Sequence, residues 1–300
     1  MELQVIRHAF APDFYRGFCP EDHAAALSYQ LQRMFESGAA KEGDYFLVRD
    51  GKDPYLHVEI YRNNTRRIWE KSPVMCPKAA ADKVKNAESL SLIYEFLKND
   101  EYYFSPGDKL EIIVKPDNEF SNIMKKLNLE YGYQNIGSYT VFKLKIGKFP
   151  EIGLSENISL KSFTEIEPEE RFKMVLENDV LNDLLIDTDQ ALFYQDFLDE
   201  GYFSEELWRI IYSGGELAGF IMPVFTSGLK NKISLANYHF FSGMDQDVSR
   251  SAVCEVCRIA ETNGIRDLEF IVKDNDKELA DLLASLNFSK AGSFTRYIQK

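Results

Sequence analysis

The sequence lacks the features that mark exported and membrane proteins. It holds only four cysteines in 300 residues, too few and too scattered for a disulfide framework. It has no apolar run of about 18 residues, the length that a membrane-spanning helix needs. Its first residues do not follow the charged-then-apolar pattern of a signal peptide. We therefore expect a cytoplasmic protein without a membrane partner.

Several catalytic motifs are also missing. The chain contains no Gly-rich dinucleotide fingerprint, no Walker loop and no nucleophile elbow. Cys254 and Cys257 share one face of a predicted helix, but no second cysteine pair lies nearby, and zinc needs about four ligands. His8, His23 and His57 have no partners at metal-binding or triad spacing. The sequence therefore predicts two core cysteines and no metal site.

The net charge of −13 belongs to the second half of the chain. Residues 1–150 carry 21 basic and 21 acidic side chains, whereas residues 151–300 carry 14 and 27. An acidic field repels phosphates, so we expect no nucleic-acid partner. Fourteen carboxylates lie between Glu165 and Glu206, with only Arg171 and Lys173 among them. This stretch either attracts a cationic ligand or is a solvated helix face.

The first half contains the opposite pattern, a stretch with seven basic side chains and only two acidic ones. Its basic members are Arg62, Arg66, Arg67, Lys71, Lys78, Lys83 and Lys85. Three interpretations remain open for this stretch: it binds the nucleotide part of a phosphorylated ligand, it docks against the acidic half, or it is simply solvated.

Two stretches about half the chain apart repeat one another. Residues 110–115 read LEIIVK and residues 268–273 read LEFIVK. Each is followed by a polar turn and by a helical run that closes on Leu-Asn-Leu (127–129) or Leu-Asn-Phe (286–288). A strand that begins with Gly-Ser then follows, so the offset between the copies is 158, then 159, then 155 residues. We infer two copies of one α/β unit, with domains at 1–146 and 151–300 and a linker around 146–153.

The second half has a definite order of predicted elements. A strand at 158–163 and a helical stretch from 169 to about 200 precede a hairpin at 214–220 (GGELAGF), a strand at 233–241 and a helix at 248–262. This order resembles the Gcn5-related N-acetyltransferase (GNAT) fold, and the hairpin is similar to the family's entry into its third strand. Residues 268–288 are similar to its fifth strand, Asn-containing turn and fourth helix. The resemblance implies an α/β (α+β) protein with two tandem GNAT-like domains, each a mixed, mostly antiparallel sheet flanked by helices.

The resemblance also implies acetyl-CoA as co-substrate and an amine as acceptor, either a small molecule or a basic peptide. In the family the pantetheine arm lies where the fourth and fifth strands separate, and the pyrophosphate lies at the next helix N-terminus. His239 is then the candidate base, with Tyr238 beside it, unless it is a strand histidine with a satisfied hydrogen bond. The expected acetyl-CoA contacts are Phe240, Phe241, Gly243, Val248, Ser249, Arg250, Ser251 and Asn275.

Two features depart from the family pattern. Residues 243–251, in the place of the phosphate loop, contain no Gly-x-Gly. The tyrosine that often serves as the family's general acid falls at Leu283, or at Met124 in the first copy. The sequence therefore leaves two hypotheses. Either the second copy is an N-acetyltransferase and the first copy is structural, or the fold serves as a non-catalytic ligand-binding or protein-interaction module.

Overall fold

The computed structural model divides the chain into two compact units. It describes residues 1–63, 66–99, 109–116, 118–145, 156–177, 205–221, 223–225, 232–235, 238–240 and 246–299. Unit 1 contains Met1–Ser138 and Phe294–Lys300, and unit 2 contains Tyr139–Ser293. Among the described residues, no helix combines the length and the apolar character that crossing a membrane requires.

The described residues of unit 1 form two groups of paired strands and three α-helices. Its strands are β1 (Glu2–Val5), β2 (Tyr45–Asp50), β3 (Asp53–Glu59), β4 (Tyr61–Asn63), β5 (Arg66–Trp69), β6 (Val74–Met75), β7 (Lys109–Val114) and the first part of β8 (Gln134–Lys145). Its helices are α1 (Glu21–Ser37), α2 (Lys83–Asn99) and α3 (Ser121–Glu130). Strands β1, β2, β3 and β6 pair antiparallel in that order, as do β4 and β5, whereas β5 and β7 are parallel.

Unit 2 repeats this order. Its strands are β9 (Ile158–Ser162), β10 (Arg209–Ser213), β11 (Glu216–Ile221), β12 (Val224–Phe225), β13 (Lys232–Leu235), β14 (Tyr238–Phe240), β15 (Asp267–Lys273) and the first part of β16 (Ser289–Ile298). Its helices are α4 (Pro168–Glu177), α5 (Gln246–Thr262) and α6 (Lys277–Ser285). Strands β9, β10, β11 and β14 pair antiparallel, and β13 runs parallel to β15.

The two halves of the chain exchange their last strands. The end of β8, from the N-terminal half, pairs antiparallel with β15 of unit 2. The end of β16, from the C-terminal half, pairs antiparallel with β7 of unit 1. The compact units therefore do not coincide with 1–146 and 151–300, since each takes its closing strand from the other half. The predicted linker at 146–153 lies outside the described residues.

The exchanged strands also complete the two cores. Tyr297 of β16 is 4% exposed and belongs to the apolar core of unit 1. Phe142 of β8 is 1% exposed and belongs to the core of unit 2. Cys254 and Cys257 are buried in that same core, as the sequence predicts, and burial raises the pKa of the Cys254 thiol to about 11.

The structure confirms the repeat but corrects its alignment. The helix of each copy ends in the same way: a residue in the left-handed region, Gly132 (φ 81°) or Asn287 (φ 66°), follows the last turn. The next residue donates its N–H back across that turn, from Tyr133 to Asn128 O at 2.8 Å and from Phe288 to Leu283 O at 3.0 Å. Leu286-Asn287-Phe288 therefore matches residues 131–133, and the predicted match to 127–129 is wrong. The offset falls from 158 to 155 in one step, because three residues separate β15 from α6 and six separate β7 from α3.

Candidate active site

In unit 2, the strand that precedes α5 leaves its parallel partner. β13 pairs with β15 through four residues and ends with Leu235 opposite Phe270. The next described residues of that strand belong to β14, which pairs with β11. The predicted strand at 233–241 is therefore two short strands with different partners. Among the described pairings, the last three residues of β15 contact only β8, on the other side. The two parallel strands thus part at their carboxyl ends.

A change in register accompanies this departure. Ile221 lies opposite Tyr238, whereas Val224 lies opposite Ser234. Two residues separate Ile221 from Val224, whereas three residues separate Ser234 from Tyr238. One extra residue on a strand bends it and re-aims the residues beyond it. By this count the extra residue falls between Ser234 and Tyr238, and most of that interval lies outside the described residues.

Helix α5 begins beyond this departure and carries four of the predicted acetyl-CoA contacts. Val248 packs in the core of unit 2 and Ser251 is 3% exposed. Ser249 and Arg250 are partly exposed. The first N–H groups of a helix have no intrahelical acceptor, and the helix dipole favours an anion there. Val248 would therefore contribute through its backbone N–H, while Arg250 offers a cationic side chain.

The structure describes the other predicted site residues only in part. His239, Tyr238 and Phe240 lie on β14, opposite Phe220, Ile221 and Gly219 of β11, and their side chains are outside the described part. Phe241 and Gly243 lie outside the described residues. Asn275 is exposed in the turn between β15 and α6. The roles assigned to these residues stay predictions.

Neither copy carries a tyrosine where the family often has its general acid. Leu283 is fully buried in unit 2. In unit 1 the corrected alignment moves the equivalent position from Met124 to Asn128, which is also fully buried. The Asn128 side-chain oxygen accepts a hydrogen bond from the Tyr94 hydroxyl at 3.0 Å. An amide cannot serve as a proton donor of the phenol type, so in unit 1 this position serves the structure through its hydrogen bond to Tyr94.

The corresponding strands of unit 1 also part, but side-chain contacts link them. β5 pairs with β7 up to Trp69 and Ile112, and the strand then joins β3 through β6. Asn118, in the longer turn after β7, donates its side-chain N–H to Ser72 Oγ at 2.9 Å. Lys115 Nζ lies 3.5 Å from Glu70 Oε1 across the same departure. The three additional residues of unit 1 thus supply a bridge between the two parting strands.

The next helix of unit 1, α2, already carries an anion at its N-terminus. The Asp82 carboxylate accepts the backbone N–H of Val84 at 2.8 Å and that of Lys85 at 3.3 Å. These are the donors that a bound phosphate would use. A pyrophosphate at this helix would compete with a covalently attached carboxylate.

The basic stretch of unit 1 is largely neutralised by nearby carboxylates. Arg62 and Arg67 both bind Asp44, with Nε to carboxylate distances of 2.6 and 2.8 Å. Lys71 and Lys85 pair with Glu59 and Asp50, each at 2.6 Å. Lys78 and Lys83 are exposed, and the Arg66 side chain is outside the described part. Much of the positive charge that could bind a nucleotide is therefore paired with carboxylates of the same unit.

Unit 1 also contains a cavity of about 280 Å³ that the sequence did not reveal. Its apolar wall is formed by helix α1 and by Ile60, and its polar end holds Tyr15, Glu59 and Lys71. The Tyr15 hydroxyl donates to Glu59 Oε1 at 2.9 Å, and Lys71 Nζ lies 2.6 Å from Glu59 Oε2. Tyr15 and Glu59 are 44 residues apart, so no local motif could have joined them.

His57 lies behind this polar end, two residues before Glu59 on β3. Its ring packs edge-on against Phe14 and Phe18, and its Nδ1 lies 3.8 Å from Glu59 Oε1. Burial lowers the pKa of His57 to about 4, against the opposing effect of Glu59. The imidazole is therefore neutral near pH 7, and the charge of this cluster resides on Glu59 and Lys71.

The lowered pKa predicts a pH-dependent loss of stability. Between the unfolded value of 6.5 and the folded value of about 4, the unfolded chain binds the extra proton, so stability falls as pH falls through this window. The loss attributable to His57 reaches at most about 3 kcal/mol. Urea unfolding of Trp208→Phe with and without His57→Phe, at several pH values and followed by Trp69 fluorescence, measures it. The variant should show a shallower decline from pH 6.5 to 4, and equal slopes would contradict the assignment.

Comparisons with known proteins show the fold. No family model matches the sequence, and no curated protein matches it. A GCN5-related N-acetyltransferase from Sphaerobacter thermophilus aligns at 12% identity with a TM-score of 0.63, covering 99% of this chain and 95% of that one. A tandem GNAT protein from the clavulanic acid biosynthesis pathway aligns at 12% identity and TM-score 0.50, covering 99% and 98%. A GNAT-family acetyltransferase from Colwellia psychrerythraea aligns at 11% identity and TM-score 0.50 over both full chains.

These likenesses identify the class of fold. Because the identities are near one in eight, they bear on architecture and not on activity. The protein has the fold of the Gcn5-related N-acetyltransferases in two tandem copies, as the repeat and the order of elements predict. The mixed, mostly antiparallel sheets and flanking helices of both units agree with it.

Proposed function

We propose that the protein transfers an acetyl group from acetyl-CoA to an amine, and that unit 2 performs the reaction. The observation that carries the proposal is the departure of β13–β14 from β15, directly before helix α5. This is the place where the fold family accommodates the pantetheine arm. The full-length likeness to solved GNAT-fold structures supports the fold on which this assignment depends.

The position of each predicted site residue of unit 2 determines the role that it would have in the reaction. The first N–H groups of α5 and the Arg250 side chain would hold the pyrophosphate, since both are suited to an anion. β14 would flank the thioester, with a backbone N–H for the developing oxyanion. His239, or a water that it holds, would take a proton from the acceptor ammonium. The amine nitrogen then attacks the carbonyl carbon, so that a C–N bond forms and the C–S bond breaks. The nitrogen gives up its second proton to the departing sulfur, and CoA leaves as the thiol.

Unit 2 is preferred over unit 1 because the two departures differ. In unit 1, Asn118 and Ser72 bridge the parting strands and Asp82 occupies the helix N-terminus. In unit 2, the turn after β15 is three residues shorter, and its asparagine, Asn275, is exposed. We therefore assign a structural or ligand-binding role to unit 1. The acidic stretch from Glu165 to Glu206, mostly outside the described residues, would favour a cationic acceptor.

Acetyl-CoA binding tests the proposal on the full chain. Acetyl-CoA in excess should raise the melting temperature, and Arg250→Glu should weaken binding about ten-fold by removing one charge-assisted contact. Lys83→Glu is the matched control, because Lys83 is an exposed cation at the start of α2 in unit 1. It should leave the affinity unchanged. If Lys83→Glu weakens binding and Arg250→Glu does not, the working copy is unit 1.

Turnover separates catalysis from simple binding. An assay of free thiol release with a panel of amines should show consumption of acetyl-CoA, and His239→Ala should slow it. Binding of acetyl-CoA without turnover of any amine would favour the second candidate, a non-catalytic ligand-binding or protein-interaction module. The absent Gly-x-Gly at 243–251 is the observation that favours this alternative.

A further inference from the structure

The cavity of unit 1 combines a carboxylate with apolar walls. Glu59 is at its polar end, and its side chain is only 15% exposed. Leu27, Leu31 and Met34 of α1 and Ile60 supply the apolar surface. A partly buried carboxylate requires a cation or strong donors beside it, because desolvation is costly. The cavity is therefore matched to a small molecule with a positive group at one end and an apolar body.

The cation that now pairs with Glu59 is held loosely. Lys71 Nζ lies 2.6 Å from Glu59, yet the Lys71 side chain is 71% exposed. A pair with one solvated partner contributes little to stability, about 0–1 kcal/mol. Lys71 can therefore turn into solvent when another cation arrives, while the Tyr15 hydroxyl keeps its hydrogen bond to the other carboxylate oxygen. A cationic ligand can therefore displace Lys71 from the Glu59 carboxylate.

Other groups around Glu59 do not compete for this role. His57 is neutral near pH 7, because burial lowers its pKa. Tyr15 and Tyr45 stay protonated, because burial raises the pKa of each phenol. The polar end of the cavity thus holds one carboxylate, one displaceable ammonium and neutral hydroxyl donors.

We propose that unit 1 binds a small primary amine with an apolar body, its ammonium on Glu59 in place of Lys71, and that this binding is non-catalytic. The volume of about 280 Å³ is near the lower end of ligand pockets, about 300–1,000 Å³, and fits a short alkylamine or arylalkylamine. The bridged strands and the capped helix of the same unit would compete with an acyl-CoA, which is consistent with a non-catalytic role. The proposal does not depend on acyl transfer by unit 2.

Calorimetric titration of the full chain tests this site, with hexylamine and phenethylamine as probes and the matching alcohols, hexanol and 2-phenylethanol, as neutral controls. The amines should bind, and the alcohols should bind at least ten-fold more weakly, because a charge-assisted contact is lost. Glu59→Gln keeps the shape and the acceptor for Tyr15, and should weaken amine binding about ten-fold. Glu70→Gln is the matched control, since Glu70 forms an exposed pair with Lys115. It should have no effect.

Lys71→Ala distinguishes a ligand site from a structural ion pair. If Lys71 competes for Glu59, its removal should strengthen amine binding about two- to five-fold. Leu27→Trp should block the apolar end and abolish binding, which tests the cavity without changing charge. Equal binding of amine and alcohol, unchanged affinity in Glu59→Gln, or weaker binding in Lys71→Ala would each overturn the proposal.

Discussion

Replacing Tyr297 with alanine should destabilise unit 1 by about 3–5 kcal/mol, although the residue lies three positions from the end of the chain. Tyr297 is 4% exposed and packs in the core of unit 1, among residues of the N-terminal half. Its strand β16 pairs with β7 from Thr295 to Ile298. Truncation to alanine removes the ring and leaves a cavity that the surrounding sheet cannot fill.

The two tryptophans of the chain report on the two units separately. Trp69 is fully buried in unit 1 and Trp208 is fully buried in unit 2. Denaturant unfolding of Trp208→Phe follows unit 1 through Trp69, and unfolding of Trp69→Phe follows unit 2 through Trp208. Tyr297→Ala should lower mainly the transition reported by Trp69.

Phe142→Ala is the matched experiment in the other direction. Phe142 belongs to the N-terminal half but is 1% exposed in the core of unit 2. Its replacement should lower mainly the transition reported by Trp208. If Tyr297→Ala instead lowered only the Trp208 transition, and Phe142→Ala only that of Trp69, each half would fold with its own last strand and the exchange would be absent.

The duplicated strand, helix and strand could be predicted from sequence because they depend on local pattern. Short runs of apolar and β-branched residues indicate β7 and β15, and the glycines after Tyr212 indicate a hairpin. The alignment of the copies failed at Leu127-Asn128 because shared letters do not show where a helix ends. The ending depends on which residue adopts positive φ, and that residue is Gly132 in one copy and Asn287 in the other.

The strand partners and the cavity could not be predicted, for a different reason. Periodicity indicates that β8 and β16 are strands, but it carries no information on which of two similar edges each one joins. The predicted strand at 233–241 has the composition of one strand, and only its pairing shows the change of partner after Leu235. Glu59 and Tyr15 meet because α1 and the residues before it cover β3, a tertiary arrangement that no spacing encodes.

The largest electrostatic effect is expected at Asp44. This carboxylate is buried and binds Arg62 Nε at 2.6 Å and Arg67 Nε at 2.8 Å. Arg67 is fully buried and also donates to Gly43 O. Asp44→Ala would leave two guanidinium groups buried without their shared carboxylate, which costs about 3–5 kcal/mol. Unfolding followed by Trp69 fluorescence, with Trp208→Phe as the background, should show this loss in unit 1.

Asp50 is the control that separates the effect of burial on stability from the effect of charge. Asp50→Ala removes the partner of Lys85, an exposed pair of the same length, and should leave stability nearly unchanged. Arg62 and Arg67 lie opposite each other on β4 and β5, so Asp44 holds these two strands together. The second of them, β5, is the strand that leaves β7 after Trp69. Asp44→Ala should therefore also disturb the region around Glu59 and weaken amine binding. Equal stability losses in Asp44→Ala and Asp50→Ala would show that the buried pair is no more important than an exposed one.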